Sequence, residues 1–460
     1  MGIDTGNGKE KGIHMKKSIT VVLTLIITLT VFSPVRSCAV AITEIPEVGG
    51  ATTVVLETKT GKIVYNKYMD TPMEPASTTK IMTALLALEN LDLKKEITID
   101  SEVPYTEGSR IYLVEGEVIT VENLLYAMMT ESANDCAVAL AKAVAGSVDK
   151  FALMMNKKAK EIGAENTHFV NPNGLHVDGH YSTAHDLALI AREAMKNAKF
   201  REIVTTYKWT VPATNKQPER YLYNTNRMLY DSKHKVTVRG QNIPCKYKGT
   251  TGIKTGYTSH AGGCLVAGAA RDADEWIAVS LKSTEKGRFA DCISLLDFAF
   301  SHYKTVKLKD KNKPIGEIEI SKSKKGDYAV FPKENVYGVF ERNKKAKTVR
   351  TRIVMKKGLE APIKKGTQVG EIRVFEGKEQ TGAVALTINE DVNESRLAKL
   401  GIDMSPWKFV MSIIVILVTI FFLFILYRTH KINQKKKRIR KERERERRRR
   451  RSEDDWPYVR

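Results

Sequence analysis

The chain has 460 residues and a formal net charge of +22 at pH 7, and its length allows two or three domains with cores of their own. Residues 428–460 hold 16 Lys and Arg against 6 Asp and Glu, a charge of +10. Nearly half of the excess therefore lies in the tail, which excludes a uniformly basic chain, and the mildly basic remainder suits a domain working beside anionic polymers or lipids.

Residues 1–41 are predicted to be an export signal. Two lysines, Lys16 and Lys17, precede the apolar run Ile19–Phe32, and Ala39-Val40-Ala41 gives a small-x-small cleavage site. Met15 is an alternative start, and an uncleaved anchor is an alternative role for the segment.

Five cysteines occur in the chain. Cys38 falls inside the signal, where Arg36 fits a lipid-attachment site poorly. The other four, Cys136, Cys245, Cys264 and Cys292, allow two disulfides in an exported protein, but their spacing matches no metal or disulfide framework. Free thiols are an equally good interpretation.

Residues 42–304 are predicted to form an α/β domain. Strands are expected at Thr52–Glu57, Lys62–Asn66, Thr251–Thr258, Gly263–Ala270 and Glu275–Leu281. Helices are expected at Ser77–Asn90, Val121–Met129, Cys136–Ala145, Val148–Ile162, Thr183–Ala198 and Arg288–Tyr303. Because strands from both ends recur as hairpins, the sheet is predicted to be antiparallel and flanked by helices.

One loop of this domain invites a metal hypothesis. Residues 171–180 and the start of the next helix carry His176, His180, His185, Asp178 and Asp186. Their spacing matches no zinc motif, and turn-forming residues explain the loop, so no metal is predicted.

The remaining segments are predicted to be a small domain and an anchor. Residues 305–395 show short alternating runs typical of an all-β domain, with a spacer or interaction role, and residues 396–408 are interpreted as a linker. Phe409–Tyr427 is apolar over a length that crosses a bilayer, with Trp407 and Tyr427 at the interfaces. By the positive-inside rule the basic tail 428–460 is cytoplasmic and in contact with lipids, and no nucleic acid is expected.

Three short motifs carry the chemistry. In Ser77-x-x-Lys80 the two side chains share one helix face, and a desolvated, unprotonated lysine is able to take the proton of a serine hydroxyl. Ser132-x-Asn134 lies in a polar break between two helices. Lys254-Thr255-Gly256 lies on a strand flanked by glycines.

Together these motifs resemble the signature of the penicillin-recognising serine enzymes. The likeness is to the low-molecular-mass penicillin-binding proteins that are D-Ala-D-Ala carboxypeptidases, and it runs from about Ala51 to Tyr303. The stretches that carry it are Pro75–Ala84, Ser132–Asp135, Asn171-Pro172 with Gly174-Leu175, and Lys254–Thr258. It implies a β-lactamase/transpeptidase-like fold, and the β-rich segment resembles this branch's accessory domain.

The sequence departs from that pattern in two places. Thr251 stands where an aspartate often precedes the glycine, and the C-terminus is predicted to cross the membrane where many members have an amphipathic surface helix.

The resemblance also implies roles for the site residues. Ser77 would attack the penultimate D-alanine, with Lys80 as the base, kept neutral by burial and by the charge of Lys254. Ser132 would relay a proton to the leaving amine, and Asn134 would hold the substrate amide. Lys254, Thr255 and Gly256 would form the carboxylate-binding strand, and the N–H groups of Ser77 and Tyr257 the oxyanion hole. No metal or organic cofactor is required.

The expected substrates are peptidoglycan stem peptides that end in D-Ala-D-Ala, with β-lactams as covalent inhibitors. A β-lactamase is an alternative, although no Glu-x-x-Leu-Asn stretch for deacylation lies between Asn134 and Lys254. A DD-endopeptidase, which breaks a chemically similar bond, also fits the motifs. So does a non-catalytic penicillin sensor or wall-binding protein on the same fold.

Overall fold

The computed structural model of the chain describes residue 2 and residues 45–343, 349–400 and 406–454. The predicted export signal with its cleavage site, residues 401–405 of the predicted linker and the last six residues of the tail lie outside the described residues. The elements below belong to one unit, Pro46–Arg460.

Eighteen strands are found in the described part of the chain. In chain order they are β1 (Thr52–Glu57), β2 (Ile63–Lys67), β3 (Glu96–Thr98), β4 (Val118–Thr120), β5 (Lys208–Val211), β6 (Arg220–Tyr223), β7 (Lys235–Val238), β8 (Gln241–Pro244), β9 (Thr250–Thr258), β10 (Gly262–Arg271), β11 (Asp274–Ser283), β12 (Tyr303–Lys309), β13 (Gly316–Glu319), β14 (Asp327–Pro332), β15 (Val336–Glu341), β16 (Val349–Met355), β17 (Gln368–Glu376) and β18 (Glu379–Ile388).

Nine α-helices are found in the same residues. They are α1 (Lys80–Asn90), α2 (Val121–Thr130), α3 (Asn134–Ala145), α4 (Val148–Ile162), α5 (Ala184–Ala194), α6 (Ala198–Thr205), α7 (Gly287–His302), α8 (Arg396–Lys399) and α9 (Pro406–Asp454).

The central sheet is antiparallel, with the strand order β2-β1-β11-β10-β9. Helices cover both of its faces, so all six residues of β1 are buried. Successive side chains of a strand point to opposite faces. Val54 and Leu56 accordingly pack in the core with α1, whereas Val55 packs with α7. The predicted antiparallel sheet flanked by helices is confirmed.

Two predicted helices begin or end differently. The helix predicted over residues 183–198 ends at Ala194, and a separate, unpredicted helix α6 follows, because the Asn197 side chain accepts from the N–H groups of Lys199 and Phe200 and so caps a new helix. The Ser77 helix begins as a 3-10 turn at Ala76–Thr79 and becomes α-helical from Lys80.

The strands from β12 to β18 form the predicted all-β part, which was expected over residues 305–395. β12 pairs with β15, and a five-stranded sheet has the order β13-β14-β18-β17-β16. Its core is a separate cluster that includes Val330, Ile372 and Leu386.

The C-terminal helix α9 contains the whole predicted span, 409–427. Within the described residues, the helix Trp407–Arg451 contains a stretch that is long and apolar enough to cross a membrane. Its large apolar side chains are exposed, as expected of a helix that contacts lipid instead of a protein core.

Candidate active site

Ser77 lies in the 3-10 turn Ala76–Thr79, which leads directly into α1. Ala76 has a φ of 46°, a left-handed conformation that is uncommon for a residue with a Cβ. The Thr78 hydroxyl fixes the turn by donating to the Pro75 carbonyl over 2.6 Å. The turn therefore holds the Ser77 hydroxyl beside the first residue of α1, Lys80.

Lys80 is fully buried and has three oxygen neighbours. Its Nζ lies 2.9 Å from Ser77 Oγ, 2.6 Å from Asn134 Oδ1 and 2.7 Å from the carbonyl oxygen of Asn173. The Asn134 amide is oriented by its own Nδ2, which donates to the Glu107 carbonyl over 2.7 Å. The amine is thus positioned by groups from three separate segments of the chain.

The surroundings favour the neutral form of this amine. Burial lowers the pKa of Lys80 well below its ordinary value, and the positive charge of Lys254 lowers it further, against the opposing effect of Asp135. A neutral amine has two hydrogens and one lone pair. Because Asn134 Oδ1 and the Asn173 carbonyl only accept, they take both hydrogens and leave the lone pair for the Ser77 hydroxyl, which then donates to Lys80.

Ser132 lies in the short turn between α2 and α3, with a φ of 63°. It is nearly buried, at 8% exposure. Asp135, which follows in α3, accepts from the Leu113 N–H over 3.1 Å and so fastens the loop before β4 to this helix. Among the described residues, the Ser132 hydroxyl makes no direct hydrogen bond to Lys80 or Lys254. The predicted site side chains that are hydrogen-bonded to one another are those of Ser77, Lys80 and Asn134.

The predicted strand residues follow one another on β9, the last strand in the order of the central sheet. A Cβ added to Gly256 would lie 3.0 Å from the Ser77 nitrogen and 3.1 Å from the Pro75 oxygen. A larger residue would therefore push the strand and the serine turn apart by a few tenths of an ångström. The next residue, Tyr257, is 57% exposed.

Lys254 and Thr255 are buried on the same strand. Burial and then the charge of Arg288 lower the pKa of Lys254 to about 7, with Glu131 opposing. The Lys254 amine donates to the Thr255 carbonyl over 3.0 Å. An incoming carboxylate would therefore meet a desolvated lysine whose charged form it stabilises.

Several residues of the site were missed by sequence reasoning. Thr225 shares a 2.6 Å hydrogen bond between its hydroxyl and that of Thr255. The Arg288 guanidinium donates to the Gly256 carbonyl over 2.6 Å. Asn173 supplies the carbonyl beside Lys80. The one available signal was the Asn171–Leu175 stretch, whose likeness to the family was noted without a role.

Gly174 is required for the contact between this loop and the serine turn. We expect Gly174→Ala to lower the free energy of unfolding by about 3 kcal/mol or more and to slow Ser77 acylation, because the new Cβ would lie 1.8 Å from the Ala76 carbonyl oxygen. Gly146→Ala is the matched control, since Gly146 has the same φ of 81° but no atom within 4 Å of an added Cβ. Thermal unfolding of both variants measures the difference, and equal losses would contradict the steric argument.

The histidines of the metal hypothesis have separate partners. His180 Nε2 lies 3.0 Å from the Thr79 hydroxyl, and burial lowers the pKa of His180 to about 4. His176 contacts Glu74, and His185 contacts Asp70. In the part of the chain that the structure describes, no three His, Cys, Asp or Glu side chains form a group suited to a metal ion.

The four cysteines outside the signal are free and buried. Burial raises the pKa of each thiol, so these cysteines behave as small apolar core residues instead of reactive thiols. Of the two alternatives that the sequence allowed for these cysteines, disulfides or free thiols, the structure has free thiols.

Comparison with known families gives two matches. The family model described as D-alanyl-D-alanine carboxypeptidase matches residues 39–285. The model described as penicillin-binding protein 5, C-terminal domain, matches residues 303–394.

Individual proteins match over most of the chain. D-alanyl-D-alanine carboxypeptidase DacF of Bacillus subtilis is 35% identical over 349 residues, which cover 74% of this chain and 85% of that protein. The crystal structure of penicillin-binding protein 5 from Haemophilus influenzae is 26% identical with a TM-score of 0.61, covering 76% of this chain and 99% of that one. The DacD carboxypeptidase structure from Francisella tularensis is 29% identical with a TM-score of 0.52, covering 76% and 95%.

Proposed function

Because the chain belongs to the D-alanyl-D-alanine carboxypeptidase family, we propose that Ser77, with Lys80 as its base, cleaves the terminal peptide bond of stem peptides ending in D-Ala-D-Ala. The chain is a serine-type hydrolase of that family, and its substrates belong to peptidoglycan. The observation that carries the residue assignment is the buried Lys80 amine, 2.9 Å from Ser77 Oγ, with acceptors at its other two contacts.

In the first step Ser77 Oγ attacks the carbonyl carbon of the penultimate D-alanine, and its proton moves to Lys80 Nζ. The C–N bond breaks, Lys80 returns this proton through the Ser132 hydroxyl to the leaving amine, and free D-alanine departs with Lys80 neutral again. The backbone N–H groups of Ser77 and Tyr257 stabilise the oxyanion, and the close approach of Gly256 to the Ser77 nitrogen supports this pairing. Water then attacks the carbonyl carbon of the serine ester and gives a proton to Lys80, which passes it to Ser77 Oγ as the bond between that oxygen and the acyl carbon breaks.

Lys254 and Thr255 bind the terminal carboxylate, and Gly256 leaves the strand open beside Ser77. Asn134 contacts the substrate amide and has a second role, since its Oδ1 accepts from the Lys80 amine. A β-lactam enters the same cleft, with its carboxylate at Lys254 and its strained carbonyl at Ser77.

We expect Lys254→Ala to raise KM for a D-Ala-D-Ala peptide by about 10- to 100-fold, because the substrate carboxylate loses a charge-assisted hydrogen bond. Lys80 loses its basic form as pH falls through its lowered pKa. Removal of the Lys254 charge raises that pKa, so the acidic limb of the acylation rate should move to higher pH. The pH profile of acylation measures this shift, and a peptide with a C-terminal amide, which lacks the carboxylate, is the control for KM. An unmoved limb would contradict the coupling.

The function is tested by incubating the full-length protein in detergent with a D-Ala-D-Ala peptide and, separately, with labelled penicillin. Release of D-alanine together with a long-lived adduct is the expected result. Rapid loss of the adduct would indicate a β-lactamase, and an adduct without D-alanine release would indicate a sensor. Faster cleavage of a cross-linked peptide dimer than of the free peptide would indicate an endopeptidase.

We further propose six segments: a signal peptide (1–41), the catalytic domain (42–304), a small β-rich domain (305–395), a linker (396–408), a membrane span (409–427) and a cytoplasmic tail (428–460). The catalytic domain would face outward, and the basic tail would contact anionic lipids instead of nucleic acid. This arrangement is supported by the exposed apolar first half of α9 and by the basic residues in its second half.

A further inference from the structure

Three side chains outside the proposed catalytic group meet at one end of β9. The rings of His176 and His260 stack, with centroids 4.1 Å apart and planes inclined by 8°. His176 Nδ1 lies 3.0 Å from Glu74 Oε1. Glu74 lies two residues before the serine turn Ala76–Thr79, and His260 lies in the turn between β9 and β10, so the cluster connects the segment that leads to Ser77 with the end of β9.

The order of groups along β9 sets the direction of a bound peptide. The terminal carboxylate is placed at Lys254 and Thr255, and the scissile carbonyl at the N–H groups of Ser77 and Tyr257. Earlier residues of the peptide must therefore extend past Tyr257 toward Thr258, antiparallel to the strand. The residue before the two D-alanines reaches the β9–β10 turn, where His260 lies.

Glu74 is equipped to bind a cation at this position. Its side chain is 30% exposed, and His176 holds one carboxylate oxygen. The other oxygen, Oε2, has no hydrogen-bond partner among the described residues. A carboxylate with one oriented and one unoccupied oxygen suits the ammonium group of a long, flexible side chain.

We propose that Glu74, oriented by the stacked His176–His260 pair, binds the side-chain ammonium group of the residue that precedes the two D-alanines. This inference rests on the proposed function, and it adds which side chain the enzyme prefers just before the two D-alanines. The enzyme would thereby favour a free, charged side-chain amine over a blocked one at that position.

The test compares two peptides as protectors of Ser77 against fluorescent penicillin: Nα-acetyl-L-Lys-D-Ala-D-Ala, which has a free side-chain amine, and its Nα,Nε-diacetyl counterpart. The native full-length protein should be protected by the free-amine peptide at about fivefold lower concentration, at the upper end for a partly exposed ion pair. Glu74→Gln should reduce this ratio to about one, because the glutamine amide oxygen still accepts from His176 but carries no charge. Protection by the diacetyl peptide should stay unchanged, which shows that the cleft is intact.

Asp70→Asn is the matched control, since Asp70 forms a similar pair with His185 at 2.9 Å; it should leave the ratio at about five. A ratio near one in the native protein, or a ratio of about five that persists in Glu74→Gln, would overturn the proposal. D-alanine release is scored separately. Selective protection without release would contradict the proposed hydrolysis while supporting the Glu74 site.

Discussion

Replacing Ser77 by alanine is expected to abolish the covalent penicillin adduct and to lower the rate of D-alanine release by about 10⁴-fold or more. The acyl-enzyme needs the Ser77 oxygen, and in the structure the Lys80 amine faces that oxygen directly, at 2.9 Å. The measurement is intact-protein mass after exposure to penicillin, followed by peptide mapping. Label that persists in the Ser77→Ala protein would contradict the assignment of the nucleophile.

The chain offers a matched control for this change. Ser147 also stands three residues before a lysine, Lys150, but it caps α4 at the surface. Ser147→Ala should keep the adduct and the turnover rate, at a cost of about 1 kcal/mol in unfolding free energy from the lost cap. The comparison separates a Ser-x-x-Lys spacing from a buried serine–lysine pair.

The contrast between these two pairs shows how far sequence reasoning reaches. Spacing alone does not distinguish Ser77–Lys80 from Ser147–Lys150. Only the presence of the Ser132 and Lys254 motifs in the same domain distinguished Ser77–Lys80 as the candidate catalytic pair. Strand and helix positions followed from periodicity, and β1 and α4 have the predicted boundaries.

The contacts that complete the site follow from no local pattern. Asn173 lies 93 residues from Lys80 in sequence, and Arg288 lies 32 residues from Gly256. Such pairs meet only when the sheet and helices are assembled, so no spacing rule predicts them. The hairpins β5–β6 and β7–β8 were missed for a related reason, since each strand has only four residues.

Replacing Lys80 by methionine is the second change with a large expected effect. Acylation of Ser77 should slow by about 10³-fold, within the usual range for the loss of a general base. The acidic limb of the wild-type acylation rate, where Lys80 gains a proton as pH falls through its lowered pKa, should disappear from the pH profile. Stopped-flow acylation by a chromogenic β-lactam between acidic and neutral pH measures both effects.

A structural role alone would give a different result. Methionine has a similar length and no charge, so it fills the same space, and the free energy of unfolding should fall only by about 1–3 kcal/mol for each acceptor left unpaired. The substitution does remove the donors to Asn134 Oδ1 and the Asn173 carbonyl, so some loss of order in the cleft is expected. Such loss would lower the rate equally at every pH. If the Lys80→Met variant kept the wild-type acidic limb, the base would be another group. Lys150→Met is the control. It alters only an exposed lysine, so the acylation rate and its pH profile should stay unchanged.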